Sequence, residues 1–408
     1  GCHDSGANLD EIPPWDRLRK YVKNIASYRP YVLAPGSPAV AVSSGEGEGG
    51  KTGDEAGALD YYRGQSMEMV GHGAAFELSY AWGHLSGAGE DPDGRAHLTK
   101  AMEWMGGFYR AVDGVQFSLK REVPILIVRN NNLQRSNRSG RDYGNAQGLA
   151  SFLAQLNVEF DIAMDQDCVY GRRERKIDLG QYRMIFLPCV ESDYLEPLWQ
   201  AFDAWLTDPA HKGERSLVIG AIGKRTPYLA PTGAFHPTAA KWLGATDYAG
   251  TVPLRGSQEL SWKPRSPRFP AGPLKIHFGE RGDVSPVGVL AVGEPLLTLP
   301  DGRAVGIATT HGGNAVYAFG FPLGLAFDNL WGMPYGLANG RPAPLEPYDV
   351  MASLYEDLVE AAGVPRPVRA PHNVRVAVSD DRTVILVREL FGMETTDLCT
   401  LELPAGAR

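Results

Sequence analysis

Four short apolar runs dominate the middle of the chain: Val123–Arg129 (VPILIVR), Val158–Met164 (VEFDIAM), Arg183–Cys189 (RMIFLPC) and Ser216–Ile222 (SLVIGAI). Runs of this length are the pattern of strands buried on both faces of a parallel sheet. Between them the period becomes helical, over Asn145–Leu156 and Tyr194–Leu206. In the second stretch Leu195, Leu198, Phe202 and Leu206 recur at spacings of three and four, which places them on one stripe. Strand–helix–strand alternation predicts a doubly wound α/β layer with right-handed crossovers.

The flanks read differently. Upstream, Trp15–Ser27 and Leu59–Val70 have helical spacing, Ser37–Ser43 (SPAVAVS) reads as a strand, and Gly73–Trp82 (GAAFELSYAW) reads as a second strand that enters a loop. Ala96–Tyr109 is expected to be a helix, with Leu98, Ala101, Met102 and Met105 on one face. Downstream, Thr238–Leu243 is a short helix, and residues 250–300 are rich in Pro and Gly with brief β-like runs at Leu274–Phe278 and Gly288–Val292, expected to be an insertion or lid. Arg303–Thr309 and Asn314–Phe319 predict a hairpin around Thr310-His311-Gly312-Gly313. Tyr348–Ala362 is amphipathic and is stopped by Gly363 and Pro365. Residues 373–403 alternate (Val374, Val376, Val378; Val384, Leu386; Leu398, Leu401, Leu403) and predict a small antiparallel module. The domains expected are 1–120, a partial (β/α) barrel-like segment; 121–365, an α/β domain with an insertion at about 230–300; and 366–408, the β module.

Composition narrows the class. The net charge of −8 argues against a large nucleic-acid footprint. No window approaches the ~18 apolar residues of a membrane span. Cys2, Cys168, Cys189 and Cys399 lie far apart without a CxxC pair, so free thiols are expected and no metal site is. The chain opens Gly1-Cys2-His3, and a fragment cut from a longer reading frame is the expected explanation. No targeting signal is legible, so a soluble protein is expected, bacterial-type and cytoplasmic or exported.

Gly45-Glu46-Gly47-Glu48-Gly49-Gly50-Lys51-Thr52 fits the spacing of a phosphate-binding loop. Two glutamates there would repel phosphate, and the Gly-Asp-Glu-Ala-Gly that follows is a poor helix start. The stretch reads as a solvated loop. The loop after the first central strand, Arg129 to Arg141, is crowded with amides and guanidinium groups, among them Asn130, Asn131 and Arg135. It falls at the carboxyl edge of the sheet, where ligands of open α/β sheets bind. These groups suit hydroxyl-rich or anionic ligands, and they suit equally a polar loop that caps the next helix.

The order of parts resembles the C-terminal portion of family 42 beta-galactosidases. The residues that carry the resemblance are Val123–Asn130, Asp178–Pro188, Ser216–Gly220 and Gly313–Gly324. The fold this implies is α/β: the end of a (β/α) barrel, then a parallel-sheet domain like flavodoxin and class I glutamine amidotransferases (a trimerisation domain), then the β module. A homo-oligomer acting on carbohydrate, without cofactor or metal, is likewise implied. An amidotransferase carries its nucleophile in G-x-C-x-G, and here Ala221 stands at that place within Gly220–Gly223. Cys189 is followed by Glu191, whose charge opposes a thiolate.

Retaining glycosidases need two carboxylates about 5 Å apart on a rigid frame. If the resemblance extends to the barrel, Glu46 or Glu48 falls near the nucleophile position and Glu77 is the alternative carboxylate. Trp82 and His84 follow that strand, and an indole face can stack on a sugar. Glu77 as an internally satisfied charge and Trp82 as ordinary packing are the competing readings. The strand that would carry the opposing acid is not evident, so the chain alone is expected to lack a complete catalytic pair. The rival reading is a non-enzymatic carbohydrate-binding or oligomerisation module.

Overall fold

In the computed structural model the described residues are 41–44, 59, 63, 66–67, 70–71, 74–77, 92–117, 123–129, 146, 148–150, 152–170, 176–188, 190–191, 196–223, 234–278, 286–324, 346–366, 368–372, 374–381, 385–389 and 400–401. The chain forms two compact units, Gly1–Arg121 with Tyr335–Pro344 and Pro367–Arg408, and Glu122–Pro334 with Leu345–Arg366.

The second unit is built on one mixed sheet of nine strands. In chain order these are β1 (Ile125–Arg129), β2 (Phe160–Met164), β3 (Met184–Leu187), β4 (Ser216–Ile219), β5 (Ser257–Trp262), β6 (Gly272–His277), β7 (Glu294–Thr298), β8 (Ala304–His311) and β9 (Asn314–Phe319). The spatial order is β6-β5-β7-β8-β9-β4-β3-β1-β2. The four central apolar runs pair in parallel, with Ile127 level with both Ile162 and Phe186, and Phe186 level with Val218. β9 joins them in parallel on the far side of β4. Numbered among themselves, the five parallel strands stand in the order 2-1-3-4-5. All of β1, β3 and β4 is buried, as uninterrupted apolar strands require when both faces are covered.

The helices are α1 (Asp165–Val169), α2 (Glu196–Thr207), α3 (Pro237–Leu243) and α4 (Glu346–Ala361). Helical residues between 146 and 155 bury Leu149, Phe152 and Leu153, and Asn157 follows with a positive φ of 54° that ends the turn. Of the expected stripe, Leu198, Phe202 and Leu206 on α2 are buried and Leu195 lies outside the described residues; Trp199 and Trp205 widen the buried face. α3 starts at Pro237 behind the cap of His236 and stops at left-handed Gly244. α4 buries Met351, Leu354, Tyr355 and Leu358 and ends before Gly363, whose φ is +62°.

Residues 250–300, expected to be an insertion or lid, extend the main sheet. β5, β6 and β7 continue the main sheet as antiparallel strands that join it through β8. A separate pair, Pro286–Val289 on Gly250–Pro253, lies beside this extension in sequence. The physical reason is one-sided burial. In β5 Leu260 and Trp262 point inward while Ser257, Glu259 and Ser261 are exposed, an alternation that the surrounding Pro and Gly dilute. The β8–β9 hairpin closes on Gly312 and Gly313 at φ +60° and +86°, with His311 opposite Asn314. Two successive positive φ values are what a tight two-residue hairpin turn demands.

In the first unit, Ala41–Ser44 and Ala74–Glu77 pair in parallel, and helix Pro92–Ala111 follows. Val374–Val378 pairs antiparallel with Ile385–Glu389, and Val368–Arg369 with Thr400–Leu401. Val368, Val374 and Val376 form a small core there.

Candidate functional site

In an open α/β sheet the strand order reverses at one point, and the crevice at the carboxyl ends there is the natural ligand site. In this sheet that point lies between β1 and β3. Asn130, Asn131 and Arg135, expected to line it, lie outside the described residues, as do Glu46, Glu48, Trp82, His84 and Cys189. Glu77 closes its strand in register with Ser44, so the backbone two residues before Glu46 is level with Glu77; the Glu77 side chain lies outside the described residues.

The carboxyl ends of β3 and β4 are described, and backbone fills them. The Gly220 N–H donates to the Leu187 carbonyl at 2.8 Å, and a Cβ on Gly220 would sit 2.1 Å from the Pro188 oxygen. The Ala221 N–H donates to the Phe321 carbonyl at 3.0 Å, and the Leu323 N–H donates to the Pro188 carbonyl at 2.9 Å. The Ile222 N–H donates to the Tyr248 hydroxyl at 2.7 Å. The chain then runs on as a short strand, Ile222–Gly223, parallel to Val190–Glu191. An oxyanion hole needs free N–H groups on a tight turn beside a nucleophile. Here the N–H groups of Gly220, Ala221 and Ile222 are all spent, and the residue at the turn is an alanine. Sequence reasoning found Ala221 but missed Tyr248 and the 321–323 segment, because both reach this place from distant parts of the chain.

Other polar groups in the unit are structural in their geometry. His236 donates from Nε2 to Glu196 at 2.8 Å and accepts at Nδ1 from the Thr238 N–H at 3.2 Å, with its ring stacked on Trp199. With both nitrogens committed, it cannot take a proton from a substrate without giving up a cap. Asp203 accepts from Trp242 Nε1 and from His311 Nε2, at 2.8 and 2.9 Å, which ties α2 to α3 and to the hairpin tip. The Tyr182 hydroxyl donates to buried Asp161 at 2.9 Å, and burial, then the Asp161 charge, push its pKa far up. Burial, with Asp167 and Asp165 nearby, also pushes the Cys168 thiol up, which makes it a poor nucleophile. At the opposite, amino-terminal edge of the strands, a groove of about 450 Å³ runs between the 176–180 loop and Ala201, Ala204 and Asp208. Among the described residues no group of three or more His, Cys, Asp or Glu side chains is placed to hold a metal ion, and no helix is long and apolar enough to cross a membrane.

No family model and no curated protein matches the chain. Solved structures do. A catalytic mutant of Gan42B, a GH42 beta-galactosidase from G. stearothermophilus, is similar at TM-score 0.53 and 13% identity, over 90% of this chain and 50% of that one. The beta-galactosidase from Rahnella sp. R3 is similar at TM-score 0.52 and 12% identity, over 93% and 52%. The polyextremophilic beta-galactosidase from the Antarctic haloarchaeon Halorubrum lacusprofundi is similar at TM-score 0.51 and 15% identity, over 92% and 51%. The chain is therefore similar in fold to part of these beta-galactosidases, and it spans about half their length.

Proposed function

We propose that the chain corresponds to the C-terminal portion of a family 42-like glycoside hydrolase acting on carbohydrate, and that its sheet unit serves assembly. The observation that carries this reading is the likeness in fold along 90% of the chain to beta-galactosidases of which it spans half. The order 2-1-3-4-5, that of a flavodoxin-like sheet, supports an amidotransferase-like ancestry for the second unit. Ala221 and the spent N–H groups around it support a unit without amidotransferase chemistry. In this reading the parallel pair Ala41–Ser44 and Ala74–Glu77 belongs to the end of a barrel, and Glu46, Glu48 and Glu77 are the candidate carboxylates. Trp82 and His84 are then proposed sugar contacts, and Asn130, Asn131 and Arg135 are further substrate-binding candidates, which a homo-oligomer would offer to a neighbour's sugar site.

The test is hydrolysis of a panel of aryl glycosides by the purified chain, beside Glu46→Gln, Glu48→Gln and Glu77→Gln. Weak sugar binding without enzymatic turnover is expected, because one carboxylate without its opposite cannot both donate a proton and attack. A reading frame upstream that encoded ~150–250 further residues with βα rhythm would support the barrel reading. Robust turnover that a single one of these substitutions abolishes would overturn the half-protein reading and identify the catalytic carboxylate.

A further inference from the structure

We draw no further inference here: the strongest candidate, the groove of about 450 Å³ between the C-terminal half of α2 and the 176–180 loop, is framed by polar groups already engaged within the fold, Asp178 on the Gly180 N–H, Asp208 on the Ala210 N–H and Arg215, and Arg215 on the Trp205 carbonyl, and nothing in the structure shows what covers it.

Discussion

Arg366 anchors a cluster of charges on α4. Its guanidinium is buried, and it donates to Glu356 and Glu360 of α4 and to the Leu156 carbonyl, the last two at 3.1 and 3.2 Å. Arg268 meets the same two carboxylates from the solvent side, at 3.4 and 2.5 Å. Arg366→Ala removes a buried cation from two nearly buried carboxylates that Arg268 also meets, and breaking a buried pair from one side costs about 3–5 kcal/mol. Urea unfolding should show a loss of that order, with Arg366→Lys intermediate because it restores the charge but not the fork; a loss under about 1 kcal/mol would mean that Arg268 suffices. Asp357, the next residue on α4, accepts N–H bonds from Arg265 and Ser266, yet burial outweighs them and raises its pKa. A raised carboxyl binds its proton more tightly folded than unfolded, so its contribution to stability grows as pH falls through the folded pKa, down to about pH 4. The wild type should therefore gain on Asp357→Asn as the solution is acidified. If it loses ground instead, the N–H bonds dominate and the assigned sign is wrong. Cys168, fully buried with a raised pKa, should resist thiol reagents in the native protein and react only on unfolding.

At the scale of elements, the parallel core was legible in the sequence because each strand is a short apolar run between helical stripes, a signal that survives without tertiary information. The hairpin was legible for a local reason too, since only Gly312-Gly313 tolerates both positive φ values. The antiparallel extension was not, because SQELSW buries just two side chains, both on one face, and sits among Pro and Gly. Contacts that cross the sequence were hidden altogether: Asn314, which accepts from the Gly213 and Arg215 N–H groups and donates to the Leu206 carbonyl, carries no local mark of that role. The candidate site was legible only in part. Ala221 could be read in place, whereas the Tyr248 hydroxyl on the Ile222 N–H joins residues separated by 26 positions. Glu46, Glu48, Glu77, Trp82 and His84 follow from the resemblance and Asn130, Asn131 and Arg135 from their polar groups after the first strand, and all fall outside the described residues but the backbone of Glu77. The junction of β3 and β4 gives a direct test. A Cβ on Gly220 would meet the Pro188 oxygen at 2.1 Å and its carbon at 2.8 Å, both backbone, so no rotamer change relieves the overlap. Gly220→Ala should destabilise the unit by more than about 2 kcal/mol, measured by chemical unfolding. A neutral result would mean that this end of the sheet is looser than its hydrogen bonds imply.

At the scale of the molecule, the first unit is discontinuous in sequence: it gathers residues up to Arg121 with Tyr335–Pro344 and with residues from Pro367 onward. Within it, the Asp380 N–H donates to the Gln116 carbonyl at 2.8 Å, and a Cβ on Gly71 would come within 2.6 Å of the Ala377 Cβ. The C-terminal hairpin is thus part of the packing of the N-terminal segment, and the residues of the nine-stranded unit fall between the two in sequence. A discontinuous unit loses its core when either piece is removed, whereas an inserted unit with its own core keeps it. Chains of several units also depart from a single two-state transition. Denaturant unfolding of the full chain should accordingly show two steps, with Arg366→Ala moving the one that belongs to the nine-stranded sheet. Truncation after Arg366 keeps that arginine and every strand of the nine-stranded sheet, while it removes Val368, Val374 and Val376, the small core of the first unit. The truncated chain should retain the sheet unit's step at an unchanged midpoint, lose the other step, and become sensitive to protease before residue 121. Loss of the sheet unit's step on truncation would show that the sheet unit does not hold its core alone, and an unperturbed N-terminal segment would show that residues 367–408 do not belong to the first unit's core.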